Sequence, residues 1–202
     1  MKKAWFITIA FLALSLVPGV SFLRSAQKSA DRVVLLKINK SYDRRTIIKK
    51  STIPNAGNGL FAVKKIKQGE VIGELGGRLL TENQYPAGNH YIASIAECAW
   101  KESHPYRYID SRDHGANVSR INFAPSEING IETHFQNAKT QQLCKRPYFV
   151  FVAVRDIEAG EEIWSTYGPN YEYDRFMKAP EVRDFFCGRL KIDCRQKYTY
   201  AH

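Results

Sequence analysis

The sequence predicts a mainly β fold, with several short sheets of short strands and few short helices. Two observations carry this expectation. From residue 31 onward, short runs of β-branched and aromatic residues alternate with Gly, Pro and Asn turn signals, and helical periodicity is almost absent. The 202 residues, 44% apolar and 25% charged, give room for one ordinary domain and a short appendage. The expected organisation is a signal peptide or membrane anchor over 1–23, a linker over 24–30, one domain over 31–176 and a tail over 177–202.

The elements follow in chain order. Lys2 and Lys3 precede Ala4 to Leu23, which contains no charge, and Arg24 closes the run. A basic start and an apolar stretch fit an export signal, with Gly19 and Ser21 as small residues near a cleavage point. The same stretch is long enough to span a bilayer. Pro18-Gly19 favours the signal peptide, whereas Arg24, Lys28, Arg32, Lys37 and Lys40 favour an anchor with its carboxyl-terminal side in the cytosol. The chain is therefore expected to be exported or anchored, with membrane contact only through this segment.

Expected strands are Val33–Ile38, Thr46–Lys50, Val71–Leu75, Tyr91–Ile95, Tyr106–Ile109, Glu132–Gln136, Tyr148–Val154 and Ile163–Tyr167. Turns fall at Pro54–Gly57, Lys67–Gly69, Gly76-Gly77, Pro86–Gly88 and Ala159-Gly160. One helix is expected over Pro180–Leu190, with Pro180 in its first turn and Val182, Phe185, Phe186 and Leu190 on one face.

Thirty basic residues against twenty acidic give a net charge of +10, which suits solubility or a polyanionic neighbour. No basic run exceeds two residues, which argues against a dedicated nucleic-acid arm. Cys98, Cys144, Cys187 and Cys194 allow two disulfides or buried thiols. They contain no Cys-x2-Cys pair and the five histidines are dispersed, so no metal is expected.

Gly57-Asn58-Gly59-Leu60-Phe61-Ala62 matches a dinucleotide fingerprint, but the residues to Gly69 are too few for its crossover helix. A glycine turn between strands remains, open to a ligand or serving only as a turn. The G-x-S-x-G elbow of hydrolases and the His-Glu-x-x-His zinc motif are both missing.

Three blocks in order carry a resemblance. Gly57-x-Gly59-Leu60-Phe61-Ala62 runs on through Gly69-Glu70-Val71-Ile72 and Gly76-Gly77-Arg78. Tyr108-Ile109-Asp110 then leads to Gly115-Ala116-Asn117-Val118-Ser119-Arg120-Ile121-Asn122, and Gly160-Glu161-Glu162-Ile163 to Tyr167-Gly168. Together they resemble the SET domain of protein-lysine methyltransferases over about residues 45 to 173. The resemblance implies a β-clip fold around a threaded loop, S-adenosylmethionine as cofactor and a lysine in a protein or peptide, histone or another basic protein, as acceptor. Tyr167 would be the catalytic hydroxyl. Gly57, Asn58 and Gly59 would meet the cofactor through backbone, and Asn122 and Phe123 would offer backbone groups to its adenine. Asn117 and Arg120 would hold its carboxylate or brace the loop. Tyr91, Tyr171 and Tyr173 would line the lysine channel, Glu161 or Glu162 would serve structure, and the acceptor would add as a strand at the Gly76–Thr81 edge. A monomer is expected.

Two departures stand out. Phe123 replaces the family's His, and the Cys-rich zinc segment that often follows the domain is absent. They imply an alternative: a catalytically inactive SET-like module that binds a peptide or partner.

Overall fold

The computed structural model describes residues 33–97, 104–168 and 171–202. The apolar segment over 4–23 and Cys98 lie outside them.

The first sheet is built from distant parts of the chain. Strand β1 (Thr46–Lys50) pairs antiparallel with β2 (Asn58–Ala62) across the Pro54–Gly57 turn, in register Thr46 to Ala62 through Lys50 to Asn58. Asn55 and Gly57 both take positive φ there, +60° and +70°, a conformation open to Asn and Gly. Strand β12 (Glu162–Ser165) covers the other edge of β2, and β7 (Asn122–Phe123) lies parallel to β12, Trp164 opposite Asn122 and Ser165 opposite Phe123. The sheet order is therefore β1-β2-β12-β7.

Among the described residues three further, three-stranded sheets follow. Strands β3 (Val71–Glu74), β10 (Ala138–Gln142) and β11 (Phe149–Ala153) form one, in the order β10-β11-β3. Strands β4 (Arg78–Thr81), β5 (Ile92–Ser94) and β6 (Tyr106–Asp110) form another, in the order β4-β6-β5. Strands β8 (Glu127–Ile128), β9 (Ile131–Glu132) and β13 (Tyr200–Ala201) form the third. Helices α1 (Asp174–Met177) and α2 (Pro180–Leu190) follow the first sheet, and α2 has the bounds read from the sequence.

Alternation on β2 and β12 divides two cores. Leu60, Ala62 and Ile163 point into a cluster with Ile72, Ile109, Val118 and Tyr148. Trp164 points to the opposite face, where Phe123, Ile53, Tyr173, Met177, Val182 and Phe186 gather. The tail supplies much of this second core. A disulfide joins Cys187 of α2 to Cys194, and β13 then pairs with β8.

Several expectations change. Val33–Ile38 makes a single bridge, Leu35 to Arg78, rather than a strand. That short contact covers the edge where an acceptor peptide was expected. The Leu36 amide donates to Gly77 (2.9 Å) and the Leu79 amide to Val34 (2.8 Å), so the β4 edge is already paired by the chain's own residues. The expected strand Glu132–Gln136 stops at Glu132. His134 takes φ +54°, which breaks an extended run, and the Thr133 hydroxyl turns to the Pro125 carbonyl at 2.5 Å.

Candidate active site

From Asn58 onward the chain is in β2 rather than a helix, so the glycine turn is a strand connection. Ser51 closes it by donating its amide to the Gly57 carbonyl at 2.9 Å. Asn58 is exposed at the start of β2, and no atom lies within 4 Å of where a Gly57 side chain would begin. Gly59 is different. A Cβ there would lie 2.1 Å from Glu162 Oε1 and 3.2 Å from Asn122 Nδ2, so glycine is required by close approach.

Asn122 ties this turn to the neighbouring strands. Its Nδ2 donates to the Asn58 carbonyl at 3.1 Å and to Glu162 Oε1 at 3.3 Å. One residue earlier, the Ile121 carbonyl accepts the Tyr167 hydroxyl at 2.9 Å. Glycine turn, Asn122 and Tyr167 are thus joined through one short segment. β7 and β12 run parallel, so Tyr167, just past the carboxyl end of β12, has to reach back along β7 with its side chain to meet the Ile121 carbonyl.

Tyr167 is 42% exposed as a residue, yet its hydroxyl end is enclosed. Burial of that oxygen, followed by the neighbouring Tyr171, pushes its pKa above the ordinary phenol range, and a backbone hydrogen bond from Phe123 pulls weakly the other way. Tyr167 is therefore a neutral phenol across the physiological range. Burial also raises Tyr171, with Tyr173 and Tyr91 adding to the effect.

The aromatic residues expected at a channel do gather here. Tyr171 lies edge-on to Tyr167 with ring centres 4.7 Å apart, and Tyr91 is exposed beside both. Tyr173 sits behind them. It is 4% exposed, its hydroxyl donates to the Gly168 carbonyl (2.8 Å) and accepts the Tyr167 amide (3.0 Å), and its ring lies 4.3 Å from both Phe123 and His202. Tyr173 thus braces the tyrosine turn.

Asn117 and Arg120 both bond to neighbouring segments of the chain. Asn117 donates to Asp43 and Thr46, which fastens the Lys40–Arg45 turn and the start of β1. Arg120 donates to the Arg112 carbonyl at 2.8 Å and lies over the Tyr91 ring at 4.5 Å. Phe123, where the resemblance has His, is buried at 1% and packs on Tyr173.

The carboxylates behave as structural groups. Glu161 is held below the usual range: burial opposes this, but Arg155, the Glu158 amide and Asn137 outweigh it. Asn137 is fully buried and clamps β12, accepting the Trp164 amide (2.9 Å) and donating to the Glu162 carbonyl (2.8 Å). Nothing in the sequence pattern marks Asn137 or the Ile121 carbonyl. Ser51 and Thr52, two hydroxyls just before the glycine turn, are the one missed feature that a sequence could hint at. Among the described residues no group of three or more His, Cys, Asp or Glu is placed to hold a metal ion.

Residues 57–168, more than half of the chain, match the SET domain family. The chain is a SET-domain protein. A curated relative is the histone-lysine N-methyltransferase EZH2 of Chaetomium thermophilum, 23% identical over 128 residues. The match covers 63% of this chain and spans only 8% of that protein's length. Among solved structures, the methyltransferase domain of human PR domain-containing protein 2 is 20% identical over 67% of this chain and 89% of its own, with a TM-score of 0.45. A polycomb repressive complex 2 (ctPRC2), in an autoinhibited conformation bound to S-adenosylmethionine, is 21% identical over 72% of this chain and 17% of its own, with a TM-score of 0.47.

Proposed function

We propose that this SET-domain chain is an S-adenosylmethionine-dependent protein-lysine N-methyltransferase. The observation that supports it best is the link from the glycine turn through Asn122 and the Ile121 carbonyl to the Tyr167 hydroxyl, flanked by Tyr91 and Tyr171.

The residues present fit the cofactor. Space beside Gly57 and the exposed Asn58 leave room at the turn, and a carbonyl and phenol oxygens suit a cationic sulfonium. Gly57, Asn58 and Gly59 would hold its methionine part, and Asn122 and Phe123 would offer backbone groups to its adenine. Bound S-adenosylmethionine supplies an electrophilic methyl group.

The chain's own contribution is alignment and desolvation. Holding acceptor and donor in line is worth about 7–11 kcal/mol of barrier. The acceptor amine must be neutral, and apolar aromatic walls lower a lysine's pKa. Tyr167 is not the base, because its hydroxyl keeps its proton. It orients the amine, whose proton leaves to solvent. The aromatic faces then favour the methylammonium product.

Because the β4 edge is covered by residues 34–36, the acceptor peptide would add instead to β5, the opposite terminal strand of that sheet, which begins beside Tyr91. A histone or another basic protein is the proposed acceptor, and the enzyme would act as a monomer. The segment over 4–23 would export or anchor it. Cell fractionation separates these: export leaves the chain in soluble fractions, and an anchor leaves it in membranes. Among the described residues no helix is long and apolar enough to cross a membrane.

Calorimetric titration with S-adenosylmethionine, together with labelled-methyl transfer to histones and lysate, tests the reading. Cofactor binding and transfer abolished by Tyr167→Phe are expected. A folded domain that binds no cofactor would overturn the proposal. Phe123 favours a second reading, a silent peptide-binding module, because an apolar core ring stands where the family has His. Peptide binding without cofactor binding would establish it.

A further inference from the structure

Glu162 sits inside the sheet that carries the glycine turn. The residue is 6% exposed, and its carboxylate accepts from neutral donors on two elements, the loop before β2 and the strand β7. Oε1 takes the Ser51 hydroxyl at 2.6 Å and Asn122 Nδ2 at 3.3 Å. Oε2 takes the Thr52 amide at 2.8 Å and the Thr52 hydroxyl at 2.5 Å. The Ser51 hydroxyl in turn accepts the Ile53 amide at 3.0 Å. The loop 51–53, the strand β12 and the residue that touches Asn58 therefore all meet at one carboxylate. It occupies the space a side chain on Gly59 would need, with Oε1 only 2.1 Å from that Cβ position.

The second glycine of the motif is thus explained from within the protein. Its missing side chain admits the chain's own carboxylate, where the sequence suggests room for a ligand. The first glycine keeps the open space. Two glycines two residues apart do different work.

We propose that Glu162 is a positioning residue for the cofactor turn: by fastening Ser51 and Thr52 on one side and Asn122 on the other, it fixes where Asn58 presents its backbone. The proposal rests on the methyltransferase reading above. Hydrogen bonds to a charged acceptor are stronger than neutral ones, so an amide in place of the carboxylate loosens the loop while keeping its size.

The test compares Glu162→Gln, and Thr52→Val as a milder variant, with the wild type in the full chain. Amide hydrogen exchange reads the loop, titration with S-adenosylhomocysteine reads the turn, and kcat and KM separate binding from chemistry. The expected result is exchange at Thr52 and Ile53 about tenfold faster, S-adenosylhomocysteine bound about tenfold more weakly (about 1.4 kcal/mol), and kcat at saturating cofactor nearly unchanged. Protection of β11 amides should stay as in the wild type. Unchanged cofactor affinity in both variants, or exchange that accelerates equally throughout the chain, overturns the proposal. If the wild type itself binds no S-adenosylhomocysteine, the methyltransferase reading falls, and the exchange data alone then decide whether Glu162 holds the loop.

Discussion

Gly59→Ala is the sharpest single perturbation of this fold. The new methyl carbon would lie 2.1 Å from Glu162 Oε1 and 2.9 Å from its Cδ, far inside contact distance. The carboxylate must then move away from β2, and the bonds at Oε1 from Ser51 and Asn122 are lost first. Hydrogen bonds to a charged group contribute about 1.5–3 kcal/mol each, so two lost bonds cost about 3–6 kcal/mol. That is a large part of the roughly 5–15 kcal/mol that holds an ordinary domain together. Urea unfolding followed by circular dichroism measures the loss, provided the slope is unchanged. A double-mutant cycle supplies the control. In a Glu162→Ala background the two closest atoms are gone and only Asn122 Nδ2 remains, at 3.2 Å, so Gly59→Ala should then cost less than about 1 kcal/mol, giving a coupling of at least ~2 kcal/mol. A Gly59→Ala loss below about 1 kcal/mol in the wild-type background, or equal losses in both backgrounds, would refute the steric argument.

Further outcomes follow from the same structure. Tyr173→Phe takes the hydroxyl from the Tyr167 amide and leaves the Gly168 carbonyl only the longer contact from the Tyr171 amide (3.4 Å), so it should lower stability by about 1–3 kcal/mol and reduce kcat more than it raises the cofactor KM. Stability should fall as pH rises past about 10, where unfolded tyrosines ionise. Tyr167 and Tyr171 are raised in the fold and Tyr198 is pushed up to about 12, so their contribution is complete below pH 10 and is lost on the way to the folded values; alkaline unfolding monitored by tyrosinate absorbance checks this. Because the Tyr167 proton stays in place, kcat should climb with pH as the acceptor amine deprotonates, with no fall between pH 8 and roughly 10. Replacing Cys187 and Cys194 together by Ser opens a loop with a sequence separation of 7, which loop-closure entropy puts at about 2–3 kcal/mol by denaturant unfolding.

What could be read ahead of the structure was local. Thr46–Lys50 and Pro180–Leu190 announce themselves through β-branched residues and through a first-turn proline, and both elements have the bounds expected. The turn glycines at 57, 69, 77, 88 and 160 all adopt positive φ. Long-range pairing hid the rest. Asn58-Gly59 has little intrinsic strand preference, but β1 and β12 pair with β2 from both sides and override it. Glu162 and Thr52 are 110 positions apart, so no periodicity connects them. Tyr173 reads as one more channel aromatic until its hydroxyl is seen bridging Tyr167 and Gly168. Residues 34–36 read as extended, but nothing in the sequence says that their partner is the Gly76–Thr81 edge, about 40 positions on.

The central claim is that one cofactor lies between the glycine turn and the Tyr167 hydroxyl. Crystals grown with S-adenosylhomocysteine test it directly. The account predicts density that touches the Asn58 backbone, Asn122 and the tyrosine oxygen within a single ligand. Density at another surface, or a filled turn with Tyr167 out of reach, would contradict it.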